Sequence, residues 1–326
     1  MSDQRIWDIA RGFQPSRILL TAVELGIFAE VGEGAVESVH VAERIGADAR
    51  GTDRLMNALV AIGLLEKEGD RFRNSEDARE NLVPGKPGYV GGALLHNVRM
   101  WDAWTYLTES VRGGTSFGRV QHEQSPDQGE SFMAAMHNVS TQRAVEVTPL
   151  MDFAGVANML DVGGGSGGYS IAFCNANPGL KSTVLDLPEI TPITRRYIAE
   201  AGLSDRISVV EGDFNKNEFG DDFDLVYLSM ILHQNSNVEN VALLQRAWRA
   251  LKPGGRAVVH EFVLDEQRVS PPNAAVFSLN MLVATPEGDS YTESEIGGWL
   301  TFAGYKDVMR RDVPPGLSAL MIGTKP

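Results

Sequence analysis

The chain has 326 residues, 43% of them hydrophobic, and a formal net charge of −14. That length suits two domains with sizeable cores, and that charge opposes nucleic acid and anionic membrane surfaces, whose phosphates need clustered Lys and Arg. A single cysteine, Cys174, excludes an internal disulfide and fits a reducing compartment.

Residues 1–5 lack the apolar core of a signal peptide, and the longest early apolar run, 18–28, is broken by Glu24 and too short to span a bilayer. A cytoplasmic protein is expected. Residues 1–110 read as helical, with Leu19, Leu20, Val23 and Phe28 on one face. A short helix over 41–45, a turn at 46–48 and a helix over 53–65 lead to two strands turning at Gly69-Asp70. This is the pattern of a winged helix. Between His40 and Glu80, nine acidic residues face seven basic ones, so packing and dimerisation are expected of the unit in preference to DNA binding. A Pro/Gly loop at 81–92 precedes an aromatic helix over 93–111. A loop over 113–129 and a helix over 130–151 carrying Phe132, Met133 and Met136 follow. Region 111–155 is expected to connect the domains and contribute to a substrate pocket.

From residue 156 strands alternate with helices. Strands are predicted at 158–162, 181–186, 207–213, 223–228 and 256–261, helices at 190–201, 238–251 and 293–302, and a closing antiparallel pair at 305–313 and 319–324. Such alternation means an α/β domain with a doubly wound, mostly parallel sheet over 156–326. In it, Met159-Leu160-Asp161-Val162 runs into Gly163-Gly164-Gly165-Ser166-Gly167-Gly168 and then an apolar helix. Glycines there admit positive φ and close approach of a ligand, and the helix start offers N–H groups and a positive dipole end. The same glycines satisfy a dinucleotide fingerprint, so a nicotinamide-dependent oxidoreductase is one reading. Ligands in these sheets bind beyond the carboxyl ends of the strands. There the sequence places Asp161, Asp186 (23 residues after Gly163), Asp213 beside Phe214, Ser229, His233 and Glu261. A carboxylate at the offset of Asp186 suits a ribose diol, and an acid beside an aromatic suits adenine. Each has a plainer alternative as a turn or capping residue: Asp161 for the amides of the turn, Asp186 for the loop before Pro188, His233 for the loop after its strand. Cys174 reads as a small buried hydrophobe, and Asp221, Asp222 and Asp224 as a solvated turn; no metal-ligand cluster stands out.

The stretches 160–167, 186–188, 211–214, 227–233, 251–256 and 285–292 together resemble the S-adenosylmethionine-dependent O-methyltransferases of the two-domain, homodimeric kind, which include plant phenolic and bacterial natural-product enzymes. The resemblance implies a Rossmann-like catalytic domain behind a winged-helix-like dimerisation domain. It implies that Gly163, Gly165 and Gly167 hold the methionine part of the cofactor, Asp186 the ribose, and Asp213 and Phe214 the adenine. Asp161 and Ser229 count as further cofactor positions. His233 matches the general base and Glu261 the carboxylate flanking it. The product would be S-adenosylhomocysteine and the acceptor a hydroxyl of a small aromatic or polyketide-like metabolite of secondary metabolism. Two departures are visible: Gln234-Asn235 where plant members carry Asp-Trp, and Ser290 where they carry a second Glu. They leave room for a carbon or nitrogen acceptor, or for a relative that binds the cofactor without methylating. A ligand-sensing winged-helix regulator is the reading from another class. Arg143 is a candidate partner for the cofactor carboxylate, and Trp101, Met133, Met136, Met230, Phe277, Asn280 and Met281 are candidate pocket walls.

Overall fold

A computed structural model describes residues 3–117, 126–316 and 318–326, with backbone alone for 126–132 and 135. Two compact units divide the chain, Met1–Asp102 and Ala103–Pro326.

In the first unit, α1 (Gln4–Arg11), α2 (Phe13–Glu24) and α3 (Ile27–Val31) lead to a short strand β1 (Val36–Glu37), α4 (Ser38–Ile45) and α5 (Ala49–Ala61). β2 (Leu65–Glu68) and β3 (Arg71–Asn74) form the expected wing, with β3 central between β1 and β2. α6 (Glu76–Asn81) and α7 (Gly91–Trp104) follow. The predicted 53–65 helix starts and ends four residues early. Asp48 accepts from Gly51 N–H at 2.8 Å and starts the helix at Ala49, while Leu65 is already paired with Asn74. Phe28, Met56, Leu59 and Phe72, each at most 1% exposed, form the centre of this core.

The second unit opens with α8 (Leu107–Gly113), so the helix predicted over 93–111 is two helices that break before Leu107. Of the loop expected at 113–129, residues 118–125 lie outside the described residues and 126–129 already belong to the next helix, which was expected only from 130; the Phe132 side chain also lies outside them. α9 (Pro126–Val147) and a 3-10 turn (Thr148–Leu150) precede the sheet domain. Its elements run β4 (Asn158–Val162), α10 (Gly168–Ala176), β5 (Lys181–Asp186), α11 (Thr191–Glu200), β6 (Ile207–Glu211) and β7 (Phe223–Ser229). After a 3-10 turn (Leu232–Gln234) come α12 (Asn237–Ala250), β8 (Leu251–Glu261), α13 (Pro272–Ala284), α14 (Glu293–Ala303), β9 (Lys306–Val313) and β10 (Ser318–Thr324).

The sheet order is β6-β5-β4-β7-β8-β10-β9, parallel through β8 and antiparallel beyond it, which is the Rossmann-like, doubly wound architecture expected. Side chains alternate across it. Leu160, Val162, Val226, Leu228 and Val259 enter one buried cluster; Met159, Val184, Leu225, Tyr227 and Val258 enter the other. Chain order reverses between β4 and β7, so a crevice opens at their carboxyl ends. Two predictions need correction. β8 begins at Leu251, not 256: Leu251 pairs with Phe223, and across the irregular stretch that follows, where Gly254 has φ of 79°, Gly254 and Gly255 exchange hydrogen bonds with Lys325. α13 was not predicted at all; its sequence, PNAAVFSLNMLVA, is apolar on every side and gives no helical period.

Candidate active site

The crevice is floored by the glycine turn. Gly163, Gly165 and Gly167 have φ of 64°, 57° and 76°, values L side chains rarely adopt. Space excludes a side chain at Gly164 as well, where a Cβ would lie 2.7 Å from Asp161 Cγ and 2.8 Å from Val184 Cγ1. At Gly163 a Cβ would sit 3.2 Å from Ile231 Cδ1 and 3.5 Å from the Phe214 ring, so the turn, Phe214 and the segment after β7 converge. The turn is therefore a bare backbone surface facing the crevice.

Asp161 lies beneath this turn. It is 1% exposed; its Oδ2 accepts from Ser170 Oγ at 2.6 Å, and its Oδ1 is buried without a partner. Burial pushes its pKa up to about 6, opposed by the Ser170 bond. Asp186, at the end of β5, accepts Gly165 N–H at 2.7 Å on Oδ2 and Leu187 N–H at 2.7 Å on Oδ1. Burial raises its pKa, against the two backbone donors that lower it. Each of its oxygens has a further lone pair, so the carboxylate can brace the turn and still receive a diol. Asp213 follows β6; Lys216 binds it at 2.8 Å and holds its pKa below the ordinary carboxylate value. Phe214 packs on the sheet cluster beside Gly163.

Across the crevice stands His233. Met230, with φ of +56° and its N–H on the His260 carbonyl at 2.9 Å, turns the chain sharply off β7 into the 3-10 turn. His233 Nδ1 lies 2.9 Å from Glu261 Oε2, and its backbone N–H donates to Glu261 Oε1 at 3.3 Å. A carboxylate only accepts, so Nδ1 carries a proton and Nε2 is the nitrogen whose lone pair is free in the neutral form of the ring. The Glu261 side chain is 3% exposed and that of His233 16%, so the pair is buried on the carboxylate side and open on the imidazole side. The Phe277 ring meets the imidazole edge-on at 4.9 Å. Asp289 N–H donates to the His233 carbonyl at 2.9 Å. Ser290 is 1% exposed with an unpartnered Oγ, and Asp289 is bound to Arg268 at 2.9 Å, so Glu261 supplies the carboxylate on Nδ1.

Ser229, the last residue of β7, lies 3.2 Å from Nδ1 of the fully buried His260. Tyr227 OH also reaches that nitrogen at 3.1 Å, and Ser318 Oγ reaches Nε2 at 2.9 Å. Burial lowers the His260 pKa to about 4, so the ring is neutral at pH 7. α9 packs on the glycine turn: His137 Nδ1 is 2.9 Å from Ser166 Oγ, its ring stacks on Tyr197 at 3.9 Å, and Met133 Cε would lie 3.4 Å from a Cβ on Gly165. Neither His137 nor His260 was among the sequence candidates; only the position of His260 next to Glu261 hinted at it. Of the expected walls, Asn280 accepts from Trp104 Nε1 at 2.7 Å; Arg143, the candidate partner for a cofactor carboxylate, has its guanidinium over Phe262 at 5.2 Å. Trp101 belongs to the first unit, under the Arg17 guanidinium. Cys174 is buried as expected, its thiol pushed up to about 11 by burial. Asp224 is no solvated turn residue: it accepts from Ala157 N–H and Asn158 N–H and binds Lys252, tying β7 to the start of β4. Among the described residues, no group of three His, Cys, Asp or Glu is arranged to hold a metal, and no helix is long and apolar enough to cross a membrane.

Fold and strand ends together define an α/β domain with a bare glycine turn at the switch point and a hydrogen-bonded His233–Glu261 pair at the neighbouring strand ends. Comparison with known proteins narrows the class. Residues 104–306 match the O-methyltransferase domain, and residues 7–83 match the O-methyltransferase dimerisation domain. The 3-hydroxy-5-methyl-1-naphthoate 3-O-methyltransferase of Streptomyces sahachiroi is 34% identical over 98% of this chain and 94% of its own length. The tetracenomycin polyketide synthesis 8-O-methyl transferase of Streptomyces glaucescens is 34% identical over 98% and 96%. Human N-acetylserotonin methyltransferase, solved in complex with SAM, superposes with a TM-score of 0.87 at 28% identity over 99% of this chain and 97% of that one. The chain belongs to the S-adenosylmethionine-dependent O-methyltransferase family.

Proposed function

We propose that this protein methylates a hydroxyl of a small aromatic or polyketide-like metabolite, with His233 as general base. The observation that carries the reading is the His233–Glu261 pair at 2.9 Å across the crevice from a side-chain-free glycine turn. The residues present fit S-adenosylmethionine. Gly163, Gly165 and Gly167 would take its methionine part, Asp186 its ribose, and Asp213 and Phe214 its adenine. Ser229 borders the same site, and Asp161 shapes the turn from below. Bound there, the cofactor supplies an electrophilic methyl group on a sulfonium.

The remaining chemistry falls to the chain. A phenol, with a pKa of about 10, is a poor nucleophile until its proton leaves, and an imidazole with an ordinary pKa of about 6.5 can take it at neutral pH. His233 Nε2 accepts that proton. Glu261 holds the ring in this tautomer and stabilises its charged form from Nδ1. Phe277, Met133, Met136, Met230 and Met281 would wall the acceptor from water, and Asn280, oriented by Trp104, would add polar contact. We assign dimerisation to 1–110, a share of the pocket to 111–155 and catalysis to 156–326; the homodimer forms through the first of these.

Calorimetric titration separates this from the nicotinamide reading. Saturable binding of S-adenosylhomocysteine, weakened by Asp186→Ala, with no binding of an oxidised nicotinamide dinucleotide, is expected. Binding of the dinucleotide alone would remove the methyl-transfer reading and every role assigned with it.

A further inference from the structure

Three asparagines run in series through the interior of the second unit, and the mechanism above uses none of them. Asn240, fully buried on α12, donates from Nδ2 to the Leu232 carbonyl at 2.9 Å. Asn235, 2% exposed, donates from Nδ2 to Asn240 Oδ1 at 3.3 Å. Asn215, next to Phe214, donates from Nδ2 to Asn235 Oδ1 at 2.9 Å. The direction of the series follows from chemistry. A backbone carbonyl only accepts, so the amide end of Asn240 faces Leu232, and its oxygen faces Asn235. The same logic orients Asn235 and then Asn215. The free end is Asn215 Oδ1, buried and without a partner.

Leu232, whose carbonyl ends the series, and Tyr291, which binds Asn235, belong to an apolar core cluster with Leu243 and Leu244. A carboxamide in such surroundings carries a penalty for each polar group left unpaired, and an apolar set of the same shape can hold a fold as well. What the series does that an apolar set does not is join two particular places. One end lies in the turn of Asp213 and Phe214; the other holds the carbonyl directly before His233. The first and middle members are tied to the scaffold, since Arg246 donates to the Asn215 carbonyl at 2.6 Å and Tyr291 OH donates to the Asn235 carbonyl.

We propose that Asn215, Asn235 and Asn240 are positioning residues that couple occupancy of the adenine side of the site to the placement of His233. The proposal rests on the cofactor reading above. A ligand against Phe214 restrains Asn215, and two further rungs carry that restraint to the Leu232 carbonyl and so to the imidazole. With the site empty, Asn215 is the least satisfied member and the series is at its loosest.

The test follows the His233 imidazole signals of the full-length protein by NMR during titration with S-adenosylhomocysteine. Asn215→Asp keeps the size of the side chain but turns the first rung into two facing acceptors; Asn215→Ala removes it, and decides the matter if the first variant fails to fold. In the parent chain the His233 signals are expected to move with saturation. In the variants that movement falls to less than half, and kcat drops about tenfold, the equivalent of one hydrogen bond, with KM for the acceptor unchanged. A His233 response equal to that of the parent in the folded variants would overturn the coupling while leaving the cofactor reading intact. A parent chain that binds no S-adenosylhomocysteine would overturn both.

Discussion

Asp161 supports the glycine turn from the interior of the sheet. Its carboxyl is buried under the glycine turn, and its folded pKa of about 6 stands above the ordinary 3.8. The folded state thus prefers the protonated acid. That contribution is complete below pH about 4 and is lost as pH rises through about 6, where folding must bury a charge. Asp161→Asn, uncharged throughout, is therefore expected to gain stability relative to the parent as pH rises from 4 to about 6.5 and to level off above it, by an amount on the order of 2 kcal/mol. Thermal melts at pH 4.5 and 7.5 check this; a gap independent of pH would mean the carboxyl is not buried as described. The residue scale also marks what sequence can show. Glycines at 163, 165 and 167 are legible because no other residue takes those φ values cheaply. His233 and Glu261, 28 residues apart, were legible as two strand ends of one sheet, and their pairing only as what the family resemblance implied. The Asn215–Asn235–Asn240 series was not, because a hydrogen-bonded asparagine has no spacing rule and its partners come from three different elements.

Among the elements, the 3-10 turn that carries His233 is fixed by its neighbours. Gly288 packs against it so closely that a Cβ would lie 2.3 Å from the His233 carbonyl oxygen and 2.5 Å from Thr285 Oγ1. Gly288→Ala must therefore displace the turn. We expect a loss of about 1–3 kcal/mol of stability, and turnover that falls at least tenfold while S-adenosylhomocysteine still binds. Melts, kinetics and calorimetry on one preparation check it, and unchanged turnover would show that the turn is not held from this side. The bounds of β4 and β5 were read correctly, whereas the amphipathic α5 was placed four residues late and β6 was read two residues too long. α13 escaped because it is apolar all round, and the start of β8 because Lys252–Gly255 spells a turn while its backbone is claimed by Lys325 and Phe223. Local sequence prefers one state there and tertiary pairing selects another.

On the scale of the whole molecule, the first unit carries a largely exposed apolar helix face. Ile6, Trp7, Ile9 and Phe13 are 70%, 55%, 71% and 55% exposed, in and beside a region that matches a dimerisation domain. A second copy of the chain is the expected cover. Ile6→Glu with Ile9→Glu is expected to shift sedimentation toward the monomer mass, and an unchanged mass would place the dimer contact elsewhere. The acidic balance of residues 40–80 fits that role better than duplex binding. The central claim is that His233 takes the acceptor's proton, and single-turnover methyl transfer tests it most directly. The parent and His233→Asn, which keeps a donor for Glu261 but has no basic nitrogen, would be loaded with labelled S-adenosylmethionine and given hydroxyaromatic acceptors at pH 7. The parent is expected to transfer the label, and the variant to bind S-adenosylhomocysteine equally well while transferring about 100-fold to 10,000-fold more slowly. Transfer by the variant at the parental rate would contradict the account.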